Sequence, residues 1–156
     1  MAALNTEAGE AQLRRAILDS NQDPIPRSIV LQVSLAEHGA DAFLQRLYRE
    51  MEIYAPLLAR DRPIVELGFR GAGLAALDAT QRADLLQSLA QHFAPARTVT
   101  THTEQSQQYD VLGLGLGALS RFGGCQTMNA ADLPGYCAAL DSGRLPIVAS
   151  DRVDAG

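Results

Sequence analysis

The sequence has no tryptophan, two cysteines and only 5% aromatic residues among 156 positions. A chain so poor in rings offers no stacking platform for single-stranded nucleic acid, which lays each base on an aromatic face. Two cysteines are too few for a disulfide framework, and no CxxC pair occurs. Reduced thiols and a cytoplasmic location are expected. No run of about 18 apolar residues exists, so no transmembrane helix is expected. The start, MAALNTEAGE, lacks the basic and apolar regions of a secretory signal. Positive charge is also scarce. Thirteen Lys+Arg against 18 Asp+Glu leave a net charge of -5, which argues against nucleic acid or an anionic membrane as the partner.

What the sequence does have is apolar content. Hydrophobic residues make up 47% and charged residues 20%, enough to bury a core in one domain. Residues 1–26 read as an N-terminal helix and a linker containing prolines, residues 27–150 as one α/β domain, and residues 151–156 as a loose tail. SIVLQVSL (28–35) is near-continuously apolar and β-branched, as buried parallel strands are. PIVELGF (63–69) is a second strand, and DVLGLGLGALS (110–120) opens as a third. Phe43, Leu47, Met51, Tyr54 and Leu58 recur in steps of three and four, predicting a helix over 41–58. Asp78 with Gln81 three residues on predicts a capped helix over 78–93. Thr98 to Thr101 is a candidate short strand. Asp132, with Pro134 in the first turn, starts a last helix ahead of a final strand at Leu145 to Val148. The expected fold is α/β, with strands 28–35, 64–69 and 110–116 in a small, mostly parallel sheet flanked by helices. Such a sheet leaves edges that proteins normally cover or pair, so a homo-oligomer or a protein partner is expected.

Several residues could carry chemistry. Gly113, Gly115 and Gly117 alternate, whereas a dinucleotide fingerprint needs its third glycine three residues after the second. They mark either a strand end approached closely by a ligand or a place where strand and helix pack tightly. Arg70, Gly71 and Gly73 follow the second strand at its carboxyl end, where α/β folds bind ligands. His38 lies in a strand-to-helix loop and is a candidate ligand or a solvated side chain. His92 reads as a packing residue and His102 as a loop residue. Arg60, Arg62 and Arg97 could pair carboxylates, or be ordinary solvated charges. Cys125 and Cys137 read as structural thiols, with no partners to complete a metal set.

The segment Tyr109-Asp-Val-Leu-Gly-Leu-Gly-Leu-Gly-Ala-Leu-Ser-Arg-Phe-Gly123 resembles the late glycine strand of the oxygen-independent coproporphyrinogen III oxidases, radical S-adenosylmethionine enzymes of haem biosynthesis. Thr100-Thr101-His102 resembles their lead-in to it. Asn129, Leu133, Tyr136, Asp141, Gly143 and Pro146 resemble the continuation in order and spacing. Upstream, Tyr48-Arg-Glu-Met-Glu52, Asp61-Arg-Pro63 and Glu66-Leu-Gly-Phe69 resemble the family's first helix and second strand. The likeness spans about residues 24 to 148.

This resemblance implies a truncated relative of the radical-enzyme partial (β/α) barrel. It also implies a [4Fe–4S] cluster and S-adenosylmethionine as cofactors, yet the chain departs from the family where those bind. The family's Cys-x3-Cys-x2-Cys loop is replaced here by Val33-Ser-Leu-Ala-Glu-His-Gly-Ala-Asp41. Its Gly-Gly-Gly-Thr-Pro loop is replaced by Arg70-Gly-Ala-Gly-Leu74, and several β/α units after Phe93 are missing. No cofactor or metal is therefore expected. The expected function is a non-catalytic binding or regulatory protein, taking a tetrapyrrole or a protein partner. The alternative is a coproporphyrinogen oxidase-like enzyme with its cluster supplied by a partner. A tetrapyrrole would meet Arg70 through a propionate, and His38 would be a metal ligand only if haem binds.

Overall fold

The computed structural model describes residues 6–24, 27–36, 39–59, 62–71, 75, 77–98 and 109–152. Pleating sends alternate strand residues to opposite faces. In β1 (Ile29–Leu35) this puts Ile29, Leu31, Val33 and Leu35 into one apolar core, leaving Val30, Gln32 and Ser34 on the other face. β2 (Ile64–Gly71) and β3 (Asp110–Gly115) flank β1, both parallel to it. Leu31 pairs in register with Leu67 and Leu112, and Val33 with Phe69 and Leu114, so the three strands present one continuous apolar face.

Beyond β3 the sheet turns antiparallel. β4 (Leu119–Phe122), β5 (Cys125–Asn129) and β6 (Ile147–Arg152) complete six strands in the order β2-β1-β3-β4-β5-β6. The α/β class holds, but three of the five pairings are antiparallel, so the sheet is mixed rather than mostly parallel. The β4–β5 hairpin was not anticipated. It turns on Gly123 and Gly124, with Gly123 at φ 58°, a glycine pair that is itself a hairpin signal.

Among the described residues four α-helices share the core built on that apolar face: α1 (Thr6–Asn21), α2 (Ala40–Tyr54), α3 (Ala79–Phe93) and α4 (Leu133–Asp141). α1 packs along β4 to β6 with Leu13 and Ile17 completely buried. Burying two such side chains is worth ~1.5–3 kcal/mol each, so α1 belongs to the same core as the sheet. α2 ends at Tyr54, short of the expected 58, because Pro56 supplies no N–H, and Ala55–Leu57 close it as a 3-10 turn. α3 carries the anticipated capping box: the Gln81 amide donates to Asp78 Oδ1 at 2.7 Å, and the Asp78 amide to Gln81 Oε1 at 3.0 Å. At α4 the Gly135 amide donates to Asp132 Oδ2 at 2.7 Å, with Pro134 in the first turn. Thr98 makes only an isolated bridge to Leu67, and 99–101 lie outside the described residues. β6 runs to Arg152, two residues into the stretch expected to be a loose tail.

Gly115 ends β3 at φ 102°, and a Cβ there would run into the Ser34 carbonyl oxygen of β1. Gly123 also has positive φ but no atom within 4 Å of its virtual Cβ. Gly115→Ala should therefore destabilise by ~1–3 kcal/mol more than Gly123→Ala. Equal urea midpoints for the two variants would show that β1 and β3 can separate at no cost.

Candidate functional site

β3 has a buried polar centre at each end. At its carboxyl end stands Glu50, completely buried on the core-facing stripe of α2. Three elements send donors to it. The Gly115 amide of β3 donates to Oε1 at 2.9 Å, and the Tyr136 hydroxyl of α4 to the same oxygen at 2.8 Å. Asn129 Nδ2 of β5 donates to Oε2 at 2.8 Å, and also to the Gly115 carbonyl at 3.0 Å. Burial pushes the Glu50 carboxyl up to about 7, against the downward pull of these three hydrogen bonds. Tyr54, one turn along α2, is buried as well, and its hydroxyl has no hydrogen-bond partner. Burial and the neighbouring Glu50 charge raise Tyr54, and they raise Tyr136 likewise, so both stay neutral. Tyr136 also packs on Phe43 of α2 with ring centroids 5.5 Å apart. At the outer end of α4, Asp141 takes a two-point contact from Arg46 at 3.0 and 3.1 Å and a third from Arg49 at 3.1 Å. The Arg46 hydrogen bond holds the Asp141 carboxyl below its ordinary range.

At the amino end of β3, Asp110 pairs with Arg62 at 2.6 Å, with both side chains almost fully buried. The same guanidinium donates to the Arg27 carbonyl at 2.8 Å, Ser20 Oγ at 2.7 Å and Asn21 Oδ1 at 2.9 Å. Arg62 is thus a structural clamp between α1, Arg27 and β3, not a solvated charge. A cleft of about 540 Å³ opens beside it, lined by Arg15, Asp19, Arg27, Asp110, Phe122 and Gly123 among others.

Of the residues singled out from sequence, His38, Arg60, Gly73 and His102 lie outside the described residues. Arg70 is exposed in β2 and opposes Ser34, which in turn opposes Gly115, so these three form one row across the carboxyl ends of the parallel strands. Gly71 opposes Leu35. Gly113 meets the Leu119 carbonyl of β4 and Gly115 the Ser34 carbonyl of β1, so both serve close approach of backbones. Gly117, at φ 65°, has Ala131 Cβ 3.6 Å from its virtual Cβ and belongs to the turn between β3 and β4. Cys125 on β5 and Cys137 on α4 are both half-buried and not joined in a disulfide. Glu50, Asn129 and Tyr136 enter from sequence only as parts of the family likeness, with no polar site role attached. The available signal was position: Glu50 falls on the Phe43–Leu47–Met51–Tyr54 stripe, where a carboxylate is out of place. Among the described residues, no group of three or more His, Cys, Asp or Glu could hold a metal.

No protein-family model matches the sequence, and no curated protein does either. A solved structure does match: coproporphyrinogen III oxidase from Escherichia coli, described as a radical SAM enzyme. The superposition has a TM-score of 0.76 at 12% identity, covering 95% of this chain and 76% of the enzyme. At that identity the likeness is one of fold. The chain is an α/β protein with a truncated version of that enzyme's architecture.

Asn129→Ala should cost ~1–3 kcal/mol, because Glu50 Oε2 and the Gly115 carbonyl each lose a donor inside the core. Thermal or urea unfolding measures this. A variant within ~0.5 kcal/mol of wild type, the range of ordinary surface changes, would show that the carboxyl finds other partners.

Proposed function

We propose that this chain is a non-catalytic binding or regulatory protein that descends from the coproporphyrinogen oxidase architecture and does not perform its radical chemistry. The observation that carries this reading is where the thiols are. A radical S-adenosylmethionine enzyme needs an iron–sulfur cluster held by cysteine thiolates. Here β1 runs out through Leu35 into residues 36–39 with no cysteine. The two thiols of the chain stand instead on β5 and α4. That donor set does not fit a cluster at the end of β1, and no catalytic step is derived through one.

The site favoured for a ligand is the row of Arg70, Ser34 and Gly115 at the carboxyl ends of the parallel strands. Strand ends and helix amino termini meet there in α/β folds. Exposed Arg70 suits a propionate of a tetrapyrrole, through a two-point guanidinium–carboxylate contact. A protein partner or a second copy of the chain would engage a sheet edge, with β6 standing last in the strand order. No helix among the described residues is long and apolar enough to cross a membrane.

Anaerobic reconstitution with iron and sulfide should yield no stoichiometric four-iron cluster. Formation of one, with cleavage of S-adenosylmethionine, would overturn the proposal in favour of an oxidase-like enzyme. Titration with haem, followed at the Soret band, should saturate in wild type and weaken several-fold in Arg70→Ala. Failure of wild type to saturate removes the tetrapyrrole, leaving a protein partner to be sought by light scattering and pull-down with the full-length oxidase.

A further inference from the structure

A buried carboxyl facing only neutral donors is an unusual thing to build at a junction of four elements. The groups that act on Glu50 are the Tyr136 hydroxyl of α4, the Gly115 amide of β3 and Asn129 of β5. Tyr54 lies on its own helix, and Ser120 of β4, whose hydroxyl accepts from the Gly113 amide at 2.9 Å, lies next to Tyr54. None of these groups is charged near neutral pH; the charged groups nearby are Glu10 and Arg14 of α1, which act on Tyr54. Among the described residues, an ionised Glu50 has no cation paired to it, which is costly unless the group takes a proton or reaches water.

Of the elements that send donors to Glu50, β3 and β5 are strands of the sheet, and α4 is the one outside it. α4 is nine residues long. Its buried face is held by the Tyr136 hydroxyl on Glu50 and by burial of Tyr136 and Leu140, and its last residue, Asp141, makes exposed contacts to Arg46 and Arg49. Exposed ion pairs of that kind are weak, ~0–1 kcal/mol each. Tyr136 is the part of α4 that closes over the carboxyl.

We propose that Glu50 is a pH-operated latch: protonated, it holds α4 closed over the carboxyl end of β3, and ionised, it favours a state in which α4 lifts and the carboxyl is hydrated. The protonated carboxyl keeps its three partners, because the Tyr136 hydroxyl can turn from donor to acceptor. The sign follows from linkage. The closed state binds the proton more tightly than the open one, so closure is fully supported at acid pH. That support is lost as pH rises from the ordinary carboxyl range through the closed-state value of about 7. The tyrosines do not contribute to this window, since both are raised above their ordinary value. The element that moves is local, in the manner of low-stability units that open without global unfolding. It borders the row proposed for ligand contact but does not depend on that reading.

Native-state hydrogen exchange tests the latch, with rates corrected for intrinsic pH dependence. Between pH 5 and pH 8 the opening constant for the α4 amides and for Gly115 should rise roughly 10- to 100-fold, given a closed-state value of about 7 against an ordinary 4.5. Amides of α3 around Leu85 and Leu89 should change far less. In Glu50→Gln the α4 response should be flat. A response in Glu50→Gln equal to that of wild type, or an α4 response no larger than that of α3, overturns the proposal. Carboxyl carbon NMR of wild type reads the group directly, and a midpoint for Glu50 at the ordinary carboxylate value also overturns it. Should Glu50→Gln not fold, Tyr136→Phe serves instead. Loss of a donor to the ionised form must move the Glu50 midpoint and the α4 transition upward together, and an unmoved pair refutes the latch.

Discussion

A carboxyl cannot be taken out of water without either a proton or compensating donors, and Glu50 sits where the whole sheet has to satisfy that requirement. Its donors come from β3, β5 and α4, and the residue itself comes from α2. Each contact fixes one element against another that is far away in sequence. Gly115 has to end β3 at a positive φ beside Ser34 for its amide to face the carboxyl, so the glycine and the glutamate are parts of one solution. Asn129 then spans the remaining gap, satisfying the Gly115 carbonyl and Glu50 with one amide. Apolar side chains of the right volume would fill this space, but they would not dictate which strand end meets which helix. Directional hydrogen bonds do.

The other end of β3 is fixed by the opposite device, a closed ion pair. Arg62 and Asp110 are almost fully buried together, and three further guanidinium donors go to Ser20, Asn21 and the Arg27 carbonyl. Such a pair contributes little net stability against an apolar replacement, yet loss of one partner is severe. Its structural consequence is to tie α1 to the sheet. With α1 fixed along β4 to β6 and α2 to α4 sharing the same apolar face, all four helices feed one core.

The periodic parts of this architecture are legible in sequence. The apolar run of β1, the Phe43–Leu47–Met51–Tyr54 stripe and the Asp78–Gln81 cap each carry their own local cause, and each stands where its pattern predicts. What is not legible depends on partners distant in the chain. Sequence leaves Arg62 as either a carboxylate partner or a solvated charge, and only the fold names the carboxylate, Asp110, 48 residues away. Glu50 lies 65 residues from Gly115 and 86 from Tyr136. Spacing within α2 could have flagged it as an acid on a core stripe, though not as the meeting point of three other elements. The hairpin at Gly123 and Gly124 was hidden for another reason. Its short strands alternate half-buried and buried positions, a pattern weaker than that of the parallel strands beside it. The row of Arg70, Ser34 and Gly115 needed register as well as strand position.

Fold and chemistry can part company in a protein of this design because they rest on different residues. The core requires the apolar faces of β1 to β3, the two polar ends of β3 and the helices that cover them, and none of these needs a thiolate. At the end of β1 the core continues through Leu35 and Ala36, both buried. At 12% identity and a TM-score of 0.76, the likeness to the solved oxidase structure is one of fold. Fold alone never carries an activity. What the architecture retains is a row of strand ends, an exposed arginine beside them, and a buried carboxyl whose proton decides how firmly the neighbouring helix is held.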